Sequence, residues 1–182
     1  RKAAKKLGCP LGIHAHNDSD MAAAVSLAAV QSAVSHVEGT INGYGERTGN
    51  PPLEAAIMEY IGLKGQMNGI DTRVITEIAE YYRSIGTRIS VRYPLVGDSF
   101  HKTAAGIHAG GMMADERIYN IFDTGKLLNR PPEVAITDKS GSDGVALWVN
   151  NFLGLHGKDR IRKSKLARVM RWVADEYDLH NR

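Results

Sequence analysis

His14 and His16 stand at i and i+2 in the stretch Gly12-Ile13-His14-Ala15-His16-Asn17-Asp18, directly after an apolar run. On an extended segment alternate side chains share a face, so the two imidazoles would project together. Neutral imidazoles at that spacing suit one divalent cation. Asn50 offers an amide oxygen about one helix later, and this donor fits a harder ion such as Mg²⁺ or Mn²⁺. Plainer readings exist. A His-x-His pair alone is a weak signal, and Asn50 also fits a cap of the next helix. Asp18 is placed to orient an imidazole or to lead into a helix together with Asp20.

A second polar stretch runs Gly39-Thr40-Ile41-Asn42-Gly43-Tyr44-Gly45-Glu46-Arg47-Thr48-Gly49-Asn50. Its glycines permit close backbone approach to a ligand, and Glu46 and Arg47 add charge. It lacks the Gly-Lys-Ser/Thr ending of a Walker-A loop. The plain alternative is a tight surface loop with an ion pair. Further on, His101 and His108 lie in a glycine-rich segment, with Tyr119 eleven residues after His108. An imidazole and a phenol can serve as general acid and base, and both also read as surface residues.

The elements that must position these groups follow from patterning. Residues 1–8 read as the end of a helix with a glycine stop, which suggests a chain that begins inside a larger fold. Leu11–His16 reads as a strand. Asp20 is placed to cap a helix running to about Ser35, and His36–Ile41 reads as a second strand. Asn42–Pro52 is a loop, and Leu53–Ile61 is a helix ending near Gly62. Alternating strands and helices imply parallel pairing, with sites at the C-terminal strand ends. Both polar stretches fall at such ends, which makes them one site.

After a glycine-bearing break at residues 62–70 the pattern becomes helical. Asp71 is placed to cap a helix carrying Val74, Ile75, Ile78, Tyr82 and Ile85. An extended segment is expected over Arg88–Arg92, and a short helix over Asp115–Phe122. Val145, Trp148, Val149 and Phe152 mark another helix, and Leu166 to Tyr177 the last, with Trp148 and Trp172 in core or interface. The domains are expected at 1–63 and 64–182.

Composition sets outer bounds. The chain has 182 residues with 23 basic and 20 acidic side chains, a net charge of +3. That is too mild to argue for nucleic acid or a membrane as partner. The basic run from Lys158 to Arg171 reads as a solvated helix face. One cysteine, Cys9, excludes an intrachain disulfide and fits a reducing, cytoplasmic setting. No signal peptide or long apolar run is present.

The His14-Ala15-His16-Asn17-Asp18 and Val37-to-Asn50 motifs together resemble the C-terminal part of the catalytic barrel of the 2-isopropylmalate, homocitrate and citramalate synthase family, related to HMG-CoA lyase. Gly106-Ile107-His108-Ala109-Gly110-Gly111, followed by Tyr119, resembles that family's subdomain motif. Asp115–Pro132 and Asp138–Phe152 resemble the branch containing Re-type citrate synthases.

The resemblance implies an α/β fold: the last two βα units of a TIM (β/α)8 barrel followed by a mostly helical subdomain. It implies an acyltransferase of amino-acid biosynthesis that condenses acetyl-CoA with a 2-oxo acid. It implies a divalent metal ion (Mg, Mn, Zn or Co) on His14, His16 and Asn50. Asn17, Asn42, Gly43, Gly45 and Arg47 then bind substrate or CoA. His108, Tyr119 and Glu46 are catalytic, the first two acting across a homodimer in trans.

Two positions depart from the family: Asp20 stands where a glycine is usual and Val25 where an asparagine is frequent. Barrel strands one to six and the strand-one aspartate are missing, so the chain reads as an inactive fragment of a larger enzyme. A non-catalytic metal-binding or assembly module is the alternative of another class. A lyase of the HMG-CoA type is disfavoured because Cys9 is not in a glycine-rich loop.

Overall fold

The computed structural model describes residues 2–104, 106–137, 140–155 and 157–180. They form two compact units, divided between Asp71 and Thr72.

In the first unit, α1 (Lys2–Leu7) is followed by Gly8 at φ +64°. Then β1 (Gly12–His14), α2 (Ala22–Ser32) and β2 (His36–Glu38) build a βαβ element. The strands are parallel, with Gly12 opposite His36, Ile13 opposite Val37 and His14 opposite Glu38. Thr40 and Pro52 add one isolated parallel bridge. β1 is shorter than its apolar run suggests: it ends at His14, and His16 lies beyond it. The helix α3 (Leu53–Lys64) runs past Gly62 and closes on Gly65, whose φ of +67° is the left-handed geometry a helix end favours.

Asp20 does not cap α2. It sits at φ +58°, while Asn17 Oδ1 accepts the Ala22 N–H at 3.0 Å and so does the capping. Apart from Pro51, Ala22 is the only apolar side chain buried in this unit among the described residues. Leu7, Met21, Val25 and Leu63 are exposed.

The second unit carries a denser core. It contains α4 (Val74–Ser84), β3 (Lys102–Thr103), α5 (Gly106–Ala114), α6 (Thr124–Leu128), β4 (Glu133–Val134), α7 (Ser142–Phe152) and α8 (Ala167–His180). α4 begins at Val74, directly after Arg73, whose side chain makes no capping hydrogen bond, and so three residues after Asp71. Arg88–Arg92 forms no strand. Instead Lys102 and Thr103 pair in parallel with Glu133 and Val134, a two-residue ladder too short to show alternation in sequence. The segment Gly106–Ala114 is helical despite three glycines, and Asp115–Phe122 holds only a 3-10 turn over Glu116–Ile118. Asp138, the start of one expected stretch, lies outside the described residues. Trp148 and Trp172 are 41% and 61% exposed, so neither is core.

α7 is the centre of this unit. Val145, Ala146 and Val149 pack with Leu166, and Leu147 packs with Ala109 and Val134. Asn150 sits among them, 1% exposed. Its Nδ2 donates to the Ala146 carbonyl at 2.7 Å and the Ile161 carbonyl at 3.1 Å, and its Oδ1 accepts the Ile161 N–H at 2.7 Å. An apolar replacement takes these partners from the half-buried Ile161 N–H and carbonyl. Asn150→Ala should therefore lower stability by about 2–4 kcal/mol. Urea unfolding followed by tryptophan fluorescence reads this unit alone, because Trp148 and Trp172 both lie in it. An unchanged midpoint would show that these bonds do not hold the 157–166 segment.

Candidate metal and ligand-binding site

The site in the first unit grows from the end of β1. His14 and His16 stand edge to face, ring centres 5.4 Å apart at 79°. Two imidazoles sharing an ion at a metal–nitrogen distance of about 2.1 Å give ring separations of that order. Asn50 is buried, and its Nδ2 lies 3.1 Å from His14 Nε2 and donates to the Ala15 carbonyl at 2.9 Å. The amide nitrogen, not the oxygen, therefore faces His14. The oxygen lies toward Gly45, where a Cβ would approach it to 2.2 Å, so this position requires glycine.

His14 Nδ1 faces Glu38 Oε2 at 3.1 Å, and the other Glu38 oxygen lies 3.7 Å from His36 Nε2. His16 Nδ1 is buried with no hydrogen-bond partner among the described residues. A lone-pair nitrogen on His14 and an orphaned buried nitrogen on His16 fit a divalent cation. Asn50 would join through its oxygen only after its amide turns. Among the described residues, no three His, Cys, Asp or Glu side chains come together as a metal cage.

The glycine-rich loop closes over the strand end through backbone bonds. Asn17 N–H donates to Gly49 O at 2.9 Å, and Asn50 N–H to Gly43 O at 3.1 Å. Arg47, at φ +56°, grips Asp18: its Nη2 lies 3.0 and 2.8 Å from the two carboxylate oxygens. Asp18 thus hydrogen-bonds to a guanidinium and to Thr48, and the nearby His16 acts on it through its charge. The Arg47 hydrogen bonds hold its carboxyl below the usual range. The ion-pair reading of this loop is the one the geometry supports, with Asp18 as the partner.

Asn42 is buried at φ +53°, and its N–H donates to Glu54 Oε2 at 3.1 Å, so it shapes the turn. Glu46 is exposed, and its carbonyl accepts the Gly49 N–H at 3.0 Å. Asn17 is spent on the α2 cap and on Asp20, to which its Nδ2 donates at 3.1 Å. That bond steadies Asp20 in a backbone geometry that favours glycine.

In the second unit His108 and Tyr119 come together, ring centres 4.8 Å apart. A Cβ on Gly111 would meet the Tyr119 ring at 2.3 Å, so the glycine on α5 makes room for the phenol. His108 Nδ1 faces Thr103 Oγ1 at 3.4 Å. His101 is buried instead, with Nε2 3.3 Å from Glu133 Oε1. Burial, followed by the Arg130 charge, pushes its pKa down. Glu38, His36 and Glu54 escape a sequence reading of the site. Glu38 is signalled only by its register opposite His14, which requires both strands to be placed.

With this geometry in hand, residues 2–81 match the family described as HMGL-like. A citrate (Re)-synthase of Syntrophus aciditrophicus is 47% identical over 169 residues, 91% of this chain and 27% of that protein. A citrate (Re)-synthase of Clostridium kluyveri is 43% identical over 167 residues, 90% of this chain and 37% of that protein. A 2-isopropylmalate synthase of Methanocaldococcus jannaschii is 31% identical over 172 residues, 93% and 32% respectively. The chain thus spans between 27% and 37% of the length of these relatives. No helix among the described residues is long and apolar enough to cross a membrane.

Glu54, 5% exposed, supplies a pH test of the HMGL-like loop. Burial raises its pKa above the usual 4.5. The folded state therefore holds this proton more tightly than the unfolded chain does. Its contribution is most favourable below the unfolded pKa and is lost as pH rises through the raised folded value. Glu54→Gln keeps a carbonyl acceptor for the Asn42 N–H and removes the titration. The stability of the variant relative to wild type should therefore increase from pH 4 upward and then level off, read by amide exchange across α2 and α3. A flat or falling difference would show that this carboxyl is not destabilised by burial.

Proposed function

We propose that this chain carries the metal-binding strand end and the acid–base subdomain of a larger enzyme that joins acetyl-CoA to a 2-oxo acid. The observation that carries this reading is the pair His14 and His16 beside a buried Asn50, within a segment that matches the HMGL-like family. The paucity of buried apolar side chains in the first unit supports a further part. A two-stranded parallel sheet lacks a core, and the remaining strands of a barrel would supply one. In this reading the fold is the last two βα units of that barrel, followed by a helical subdomain.

The oxo acid we favour is oxaloacetate. Identity is higher to two citrate (Re)-synthases, at 47% and 43%, than to a 2-isopropylmalate synthase, at 31%. Citrate divided at the carbon–carbon bond that such a condensation makes gives an acetyl group and oxaloacetate.

The HMGL-like family is generally dependent on a divalent metal. His14 and His16 would hold the ion, with Asn50 as the third protein donor. When bound, such an ion supplies Lewis-acid polarisation of the ketone. With Nδ1 turned to Thr103, His108 offers Nε2 to the methyl proton of the acetyl group. The carbon so freed bonds to the ketone carbon, and the Tyr119 phenol donates a proton to the new alkoxide. Water then cleaves the thioester to a carboxylate and the CoA thiol. Arg47 and the Gly43–Gly45 backbone shape the loop where substrate and CoA enter. His108 and Tyr119 serve the partner subunit of a homodimer.

The test uses the whole protein with acetyl-CoA and a panel of 2-oxo acids, following free thiol. Release should be fastest with oxaloacetate, stop in EDTA and return with Mn²⁺. Release that persists in EDTA, or none with any oxo acid, would sink this reading. Metal binding without thiol release would leave the non-catalytic module. Tyr119→Phe should lower kcat by about 10²- to 10⁴-fold, with little change in the KM for the oxo acid. An unchanged kcat removes the phenol from the chemistry. His16→Ala should lose bound metal in an equilibrium-dialysis measurement.

A further inference from the structure

We propose that Glu38 is a positioning residue that sets the tautomer of His14 and aims its Nε2 lone pair toward Asn50. Hydrogen-bond accounting around one imidazole carries the inference. Asn50 Nδ2 has two hydrogens. One goes to the Ala15 carbonyl at 2.9 Å, which identifies this atom as the amide nitrogen. The other faces His14 Nε2 at 3.1 Å, so Nε2 must be the acceptor and carry the lone pair. The proton of neutral His14 is then on Nδ1, and Nδ1 faces Glu38 Oε2 at 3.1 Å. Donor and acceptor agree along the whole line from Glu38 through His14 to Asn50.

The strand register makes this arrangement. His14 is opposite Glu38 in the parallel pair, so both side chains leave the sheet on the same face. His36 begins the same strand and brings a second imidazole to 3.7 Å from the other Glu38 oxygen. Each carboxylate oxygen thus faces a different ring. A carboxylate behind an imidazole fixes which nitrogen is free to ligate. Glu38 does this from the neighbouring strand, on the Nδ1 side of the ring, with Asn50 on the Nε2 side.

This inference rests on the reading of His14 as a metal-holding residue, and the experiment separates the two. Mn²⁺ alone is titrated calorimetrically into the whole protein, into His16→Ala, and into Glu38→Ala and Glu38→Gln. The His14 ring nitrogens are followed by ¹⁵N NMR in the metal-free proteins. Glu38→Ala should weaken Mn²⁺ binding by about 10- to 100-fold and lose the single Nδ1–H tautomer of the wild type. Glu38→Gln keeps an acceptor at the same reach and should retain the tautomer and most of the affinity. A merely structural role would lower stability in both variants and leave the tautomer unmoved.

Wild-type Mn²⁺ binding that Glu38→Ala leaves intact overturns the role of Glu38 and leaves the metal site standing. A wild-type His14 protonated on Nε2 also overturns it. Absence of Mn²⁺ binding in the wild type overturns both readings.

Discussion

The parallel register of β1 against β2 is the constraint on which the site depends. Three residue pairs place His14 opposite Glu38. A slip of one residue would send every side chain of a strand to the other face. Glu38 would then leave His14, and the imidazole would lose the partner behind it. The bridge between Thr40 and Pro52 extends the alignment past the strand ends and brings Asn50 back to His14. The loop over residues 41–51 manages the return by turning left-handed at Asn42 and Arg47. Glu54 holds one of those turns and Asp18 the other.

The two units are stabilised in different ways. The second uses apolar burial around α7, supplemented by a buried amide that satisfies backbone groups on both sides. The first relies on a polar lattice: Asn17 to Ala22, Asp18 to Arg47, Glu54 to Asn42, Asn50 to Ala15 and His14. Exposed ion pairs such as Asp18–Arg47 contribute little stability individually. Their value here is geometric, because they hold a glycine-rich loop in one conformation over the strand end. Polar lattices of this kind specify positions better than they stabilise folds, which suits a site more than a core.

Much of this was legible from residue types. The order of strands and helices to residue 64 follows from periodicity and glycine stops, and the nearness of His14 and His16 follows from their short spacing, although only His14 lies on the strand. The misplacements have local causes. Asp20 looks like a cap, yet Asn17 reaches the α2 amides because Asp20 is turned to positive φ. Gly62 looks like a helix stop, yet the left-handed residue is Gly65. The Gly106–Ala114 segment looks like a loop because glycine has low helix propensity, yet tertiary packing of α5 on α7 overrides it. Trp148 and Trp172 follow helical spacing but occupy the outer faces.

The sequence by itself determined the chemistry available: two imidazoles two residues apart, an asparagine one helix away, a glycine loop with a charged tip, and a histidine with a tyrosine downstream. These depend on residue type and short spacing, which a linear chain displays directly. Tertiary structure alone decided which atoms meet. That Asn50 turns its nitrogen to His14, that Glu38 and not Asp18 stands behind the imidazole, and that Arg47 closes on Asp18 across 29 positions all require a chain reversal and a fixed strand register. Those are set by the summed packing and hydrogen bonding of distant segments, which no local pattern encodes. The opening His-x-His pair is therefore readable as two neighbouring imidazoles, while the partners each ring meets are properties of the fold.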